Sequence, residues 1–204
     1  RQWIKMAQET ALSNVKGESS VLDEIARAFK MSSIPYRMEC FDISTLLGEQ
    51  AVGSRAVFIG GIEDKSLYRH YRIEGPAAQN DFAMLGEVLA RRFRQDNEPP
   101  PDLLVLDGGK GQLNIGLKVL KDLGVASVPV VAMAKERGTA KDRFFLPGRR
   151  DAIMLPRGSE ALRTLQRLRD ETHRFAVTYH RRLRSRAARS RLFDIPGIGP
   201  KKTA

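Results

Sequence analysis

Two aspartates and one histidine stand where this sequence can do chemistry. Asp42 follows Met38 and Cys40 on the inward register of an alternating segment, and Asp107 closes the aliphatic run Leu103-Leu104-Val105-Leu106. A carboxylate at the end of a buried strand costs several kcal/mol unless it is paired, hydrogen-bonded or bound to a cation. Each aspartate taken singly also suits a cap on the following turn. If their strands are parallel neighbours, the two carboxylates converge at the C-terminal sheet edge, where ligands collect in such folds. Two carboxylates without cysteine suit a hard cation such as Mg2+ or Mn2+. His173 borders the apolar stripe Leu162, Leu165, Leu168, Thr172, Phe175, Ala176 and Tyr179 of a long helix, within reach of that edge. His180, flanked by Arg181 and Arg182, reads as surface or DNA-facing, and His70, between Arg69 and Tyr71, reads as exposed.

Other chemistries fail on spacing. A dinucleotide fingerprint starting at Gly109 needs glycine where Asn114 stands, and a Walker lysine needs Ser or Thr where Gly111 follows Lys110. The turn Asp107–Gly111 can still offer backbone N–H groups and Lys110 to a phosphate. Ser44 and Ser54 have no general base placed by any motif, which argues against serine-hydrolase chemistry.

The elements that hold these residues follow from periodicity. Residues 1–31 predict two short helices split at Lys16-Gly17, the second N-capped by Ser20 and carrying Val21, Leu22, Ile25, Ala26 and Phe29. Tyr36–Ile43, Ser54–Ile59 and Leu67–Ile73 predict an antiparallel meander, with a hairpin turn at Gly60-Gly61 and Tyr36, Met38 and Cys40 sharing one face. Asp81–Phe93 is helical and stops before Pro99-Pro100-Pro101. Leu103–Leu106 lacks alternation, as a strand buried on both faces does. A helix over Leu113–Leu123, a fifth strand at Val128–Ala134, a short β excursion (Arg143–Leu146, Ala152–Leu155) and a helix from Ser159 to about Ala188 follow. This order predicts one mixed α/β sheet of five strands flanked by helices.

Composition narrows the partners. The chain has 204 residues, 35 Lys and Arg against 24 acids, a net charge of +11 and a pI near 10.1. Residues 157–191 alone hold eleven Arg and three acids. One-signed charge of that density points to a phosphate polymer. Cys40 is the single cysteine, which excludes an internal disulfide and a Cys-rich zinc cluster and fits a reducing cytosol. No run approaches the roughly 20 apolar residues of a bilayer span. Arg1 opens the chain and a motif is cut at its end, so a piece of a longer polypeptide is expected.

Three motifs resemble one family. Glu39-Cys40-Phe41-Asp42-Ile43-Ser44, Leu104 through Asn114, and Arg169-Asp170-Glu171-Thr172-His173-Arg174-Phe175 are similar in order and spacing to the C-terminal half of the UvrC family of excinucleases. The closing Ile195-Pro196-Gly197-Ile198-Gly199-Pro200-Lys201-Lys202 resembles the start of that family's helix-hairpin-helix module.

The resemblance implies an RNase H-like endonuclease domain over 34–190, an N-terminal helical segment over 1–33 and a truncated DNA-binding module over 191–204. It implies a cytoplasmic bacterial enzyme of nucleotide excision repair that cuts 5′ of a lesion. Carried over by residue, Asp42, Asp107 and His173 are catalytic and hold Mg2+ or Mn2+, and Asp81 is a further acidic position. Asn80 stands where many relatives have Asp, and Thr172 where Ala is usual. RNase H-like enzymes usually supply a carboxylate where His173 stands, which leaves His173 as a ligand or a proton-transfer group.

Lys110, Lys135, Arg174, Arg181, Arg182, Gly197, Gly199 and Lys201 are the expected contacts to the DNA backbone, made without sequence readout. UvrB is the expected partner of the full-length protein, bound outside this stretch, and the fragment alone is expected to cut poorly. The competing readings are a non-catalytic nucleic-acid-binding module with a degenerate core, and an RNase H or junction resolvase.

Overall fold

The β-branched and aliphatic runs pair into one sheet in a computed structural model, which describes residues 21–46, 50–73, 80–95, 97–136 and 141–193. After helix α1 (residues 21–29) come β1 (Arg37–Leu46), β2 (Gln50–Ile59), β3 (Ile62–Glu63), a 3-10 turn (Lys65–Leu67) and β4 (Arg69–Ile73). Helix α2 (Asp81–Gln95), β5 (Leu103–Asp107), α3 (Lys110–Asp122), β6 (Val130–Lys135), β7 (Asp142–Phe145) and α4 (Glu160–Phe193) complete the order. The sheet runs β3-β2-β1-β5-β6-β7, with β4 also paired to β2.

The strand count corrects the expected five to seven. A short β3 forms at Ile62–Glu63, inside the expected turn, and the expected strand Leu67–Ile73 starts only at Arg69, because Leu67 belongs to the 3-10 turn that Asp64 caps by accepting from the Ser66 N–H at 3.1 Å. β3 and β4 therefore pair with separate stretches of β2. Gly60 and Gly61, at φ 63° and 85°, make the hairpin turn that a side chain would strain. The excursion is also part of the sheet, since β7 pairs antiparallel with β6. Phe144 holds it there, fully buried and 5.5 Å from the Phe29 ring. Residues 152–155 add a single bridge, Phe144 to Ile153. Tyr36 lies before β1 and is 56% exposed rather than inward. Helix α4 continues five residues past its expected end, with no Gly or Pro to stop it before Pro196.

Alternation sends side chains to two apolar layers. Met38, Cys40, Leu103 and Val105 meet Leu22, Ile25 and Phe29 of α1 and Ala161, Leu165 and Leu168 of α4. Leu104 and Leu106 face α2 and α3, where Leu85, Val88, Leu89, Leu113 and Leu120 are buried. Each large apolar side chain so buried contributes roughly 1.5–3 kcal/mol.

At the start of β1, Glu39 is fully buried among three arginines. Arg92 donates to it through two nitrogens (2.9 and 2.8 Å), and Arg37 and Arg55 flank it. Glu98 accepts from Arg55 at 2.7 Å and also pairs Arg37. This network ties α2 to the sheet on the face away from Asp42.

Candidate active site

β1 and β5 run parallel, with Phe41 opposite Leu106. The next residues along are Asp42 and Asp107. Each shares the parity of its neighbours two back, Cys40 and Val105, so both carboxylates face the layer under α4. β1 and β5 are thus the parallel neighbours the sequence suggests, but β1 runs on to Leu46 instead of ending after Asp42, so Asp42 lies mid-strand beside the C-terminal end of β5.

α4 crosses above them. Thr172 is fully buried, and its hydroxyl donates to the Leu168 carbonyl at 2.7 Å. The next residue, His173, holds Nδ1 3.5 Å from Asp42 Oδ2, with its side chain 65% exposed. Asp42 Oδ2 is buried and accepts no hydrogen bond from the protein. Burial lifts the Asp42 carboxyl above its ordinary range, while His173 and His180 pull the other way. Burial and then the Asp42 carboxylate push Asp107 up to about 6, against Arg169, His173 and Lys135. Two carboxyls this close, one with an orphaned oxygen, want a shared positive charge.

The loop after Asp107 is fixed by glycine. Gly108 sits at φ 144°, and a Cβ there would lie 2.5 Å from the Gln112 side chain. Gln112 Oε1 accepts from the Gly109 N–H at 3.0 Å and closes the start of α3. A Cβ on Gly111 would meet the Phe82 ring at 2.5 Å, so the start of α2 packs against this loop. That contact puts Asp81, the exposed first residue of α2, at the same sheet edge. Among the described residues, no three His, Cys, Asp or Glu side chains group closely enough to enclose an ion. The pair with its free oxygen fits Mg2+ or Mn2+ held by one or two carboxylates, with water and phosphate completing the shell.

Of the expected DNA contacts, Lys135 is exposed at the end of β6, where its charge reaches Asp107. Lys110 donates to the Arg150 carbonyl. Arg174 is exposed but gripped by Glu171 through two 2.6 Å bonds. Arg181 and Arg182 are exposed on α4. Gly197, Gly199 and Lys201 lie outside the described residues, as do the first predicted helix and Ser20.

Two histidine expectations are corrected. His180 is buried, 8% exposed, and hydrogen-bonded to the Ser44 hydroxyl at 2.7 Å. His70 is half-buried, stacked on Phe175 (centroids 3.8 Å apart, 9°) and bonded to the Ser54 hydroxyl at 3.2 Å. All three histidines therefore line the seam where α4 crosses β1, β2 and β4. Arg169 is visible in the sequence only as part of a motif. In the fold it is buried against Asp142, with Asp170 at 2.9 Å, and its charge offsets the strain on Asp107.

A mixed sheet whose parallel central strands present two aspartates, crossed by a helix that adds a histidine, defines an RNase H-like nuclease domain. The model of the UvrC RNase H endonuclease domain matches residues 26–177. Relatives named UvrABC system protein C include those of Gloeobacter violaceus (47% identical over 87% of this chain and 29% of theirs) and Trichlorobacter lovleyi (48%, 91% and 33%). That of Bdellovibrio bacteriovorus is 40% identical over 99% of this chain and 35% of its own. The chain belongs to the UvrC family, as its endonuclease domain, and spans about a third of the length of these relatives. Among solved structures, an endonuclease V from Bacillus subtilis overlaps it at 14% identity and TM-score 0.41, over 72% of this chain and 82% of that one. No helix among the described residues is long and apolar enough to cross a membrane.

Proposed function

We propose that this domain hydrolyses a DNA phosphodiester with the help of Mg2+ or Mn2+. In the longer protein it would make the incision 5′ of a lesion in nucleotide excision repair. The observation that carries the reading is the buried Asp42 Oδ2, which accepts no close hydrogen bond and has only the His173 ring 3.5 Å away, next to Asp107.

Asp42, from the middle of β1, and Asp107, from the C-terminal end of β5, would hold the cation. When bound, it lowers the pKa of coordinated water and stabilises charge on the phosphorus. Asp107, whose carboxyl burial and then the Asp42 charge raise to about 6, would bind the cation as the carboxylate. His173 stands beside Asp42 with its ring open to solvent, placed to accept or deliver a proton at the reacting oxygens. Asp81 sits at the same edge as a further acid. Lys135, Arg181 and Arg182 meet the strand's phosphates without reading bases. Gly197, Gly199 and Lys201 add contacts of the same kind, and UvrB acts through another part of the longer protein.

The test is Mn2+ calorimetry of wild type and Asp42→Ala at one salt concentration, followed by incision of a lesion-bearing duplex with the full partner set. Binding of about one ion, lost with incision in the variant, is the expected result. A wild type that binds duplex but neither takes up Mn2+ nor cuts sinks the nuclease reading in favour of a binding module.

A further inference from the structure

A groove of about 370 Å3 lies between the start of α3 and the turn that follows β7. Its walls carry Lys110, Arg149 and Arg150, together with Asn114 and the apolar Leu113 and Leu146. Among the described lining residues there is no carboxylate. Two features build it. Gly148, at φ 70°, turns the chain so that the Arg149 N–H donates to the Leu146 carbonyl, which sets Arg149 and Arg150 side by side on the rim. The Lys110 ammonium donates to the Arg150 carbonyl and pins this turn against α3. An ammonium has three donors, so that bond leaves Lys110 able to bind an anion as well.

Position gives the groove its role. Lys110 follows Asp107 by three residues, so its backbone lies within about 11 Å of the carboxylate-bearing strand end. The groove therefore opens at the same sheet edge as the candidate active site. Two guanidinium forks and an ammonium, with no lining acid to neutralise them, match a phosphate better than any neutral ligand.

We infer that this groove binds a backbone phosphate of the substrate strand within a few nucleotides of the scissile one and so sets the strand's register over Asp42 and Asp107. The inference rests on the endonuclease reading for its purpose. Its chemistry, a phosphodiester held by Lys110, Arg149 and Arg150, is tested apart from cutting. None of these three residues touches the metal pair, so their role is positioning.

The experiment measures anisotropy of a fluorescein-labelled DNA duplex over a salt series, with the chain as wild type, Arg149→Gln/Arg150→Gln, and Arg163→Gln. Arg163 is an exposed arginine on the first turn of α4, paired with Glu160. The double variant is expected to bind several-fold more weakly. Its slope of log affinity against log salt should be shallower by about 0.9 for each phosphate released. Mn2+ affinity and melting temperature should stay at wild-type values, and any loss of incision should appear in KM before kcat. Wild-type affinity and slope in the double variant overturn the assignment, as does an equal loss in Arg163→Gln or a wild type that does not bind duplex. If wild type binds duplex but neither takes up Mn2+ nor cuts with the full partner set, while the double variant loses slope, the groove stands and the endonuclease reading falls. If wild type cuts and the double variant binds and cuts alike, the reverse holds.

Discussion

Asp42 and Asp107 stand side by side one residue beyond the ladder pair Phe41 and Leu106, and burial, then the Asp42 carboxylate, raises the Asp107 carboxyl to about 6. Cation binding must displace the proton that this raised value retains. Mn2+ affinity should therefore be level above about pH 7 and fall as pH drops through 6. Calorimetry at pH 7.5 and 5.5, in two buffers of different ionisation enthalpy, should detect proton release at the lower pH. An affinity independent of pH across this range counts against Asp107 as a ligand.

His173 is the third member of the site, and its exposure separates it from the buried carboxylates. Nδ1 lies 3.5 Å from Asp42 Oδ2 and the ring is open to solvent, which favours proton transfer over ligation as the role to test. His173→Ala should lower incision by about 10²–10⁴-fold, the usual range for a lost general acid or base. Mn2+ binding should change less than threefold, on the order of 0.6 kcal/mol. Loss of the ion in this variant would make His173 a ligand and refute the assignment.

Much of this site is legible before the fold. Four consecutive aliphatics mark β5 as buried on both faces, and its terminal Asp107 stands out against them. Asp42 follows from alternation through Met38 and Cys40. His180 escapes the sequence reading because Arg181 and Arg182 flank it, although the four-residue steps Leu168, Thr172, Ala176 and His180 place it on the buried stripe. His70 escapes it because mixed polarity assigns one face of a strand to solvent, whereas α4 covers that face of β4 through Phe175 and Tyr179. β7 stands apart in the sequence because a four-residue strand carries no signal for which edge it joins. Glu39 is not recognisable there as the centre of an ion network, since Arg55 and Arg92 reach it only through tertiary packing.

The position of His70 makes a prediction about acid stability. Burial, then the charges of His180 and Arg182, lower it from 6.5 to about 4. Between those values the unfolded chain binds a proton that the folded chain refuses, so stability rises with pH there. The contribution is fully present above about pH 6.5 and is lost as pH falls through 4. It amounts to about 1–2 kcal/mol after allowance for partial exposure. Melting temperatures of wild type and His70→Phe from pH 8 to pH 4 should converge as pH falls, because the variant lacks this loss. Parallel curves sink the idea.

The Glu39 network separates stability from chemistry. Glu39 is fully buried with Arg92 and Arg55 on it, and removing one partner of a buried pair typically costs about 3–5 kcal/mol because the other charge is stranded. Glu39→Gln should lower the free energy of unfolding, read from denaturant titration, by an amount in that range. Glu39→Gln/Arg92→Met should be less destabilised than the two single variants added together, since the pair is lost once. Glu39 precedes Asp42 by three residues on β1 and faces the other side of the sheet. Mn2+ affinity below the melting transition should therefore match wild type in both variants. Additive losses from the two substitutions would mean that the ion pair is not the source of the stability, and a changed Mn2+ affinity would mean that β1 transmits strain from one face of the sheet to the other.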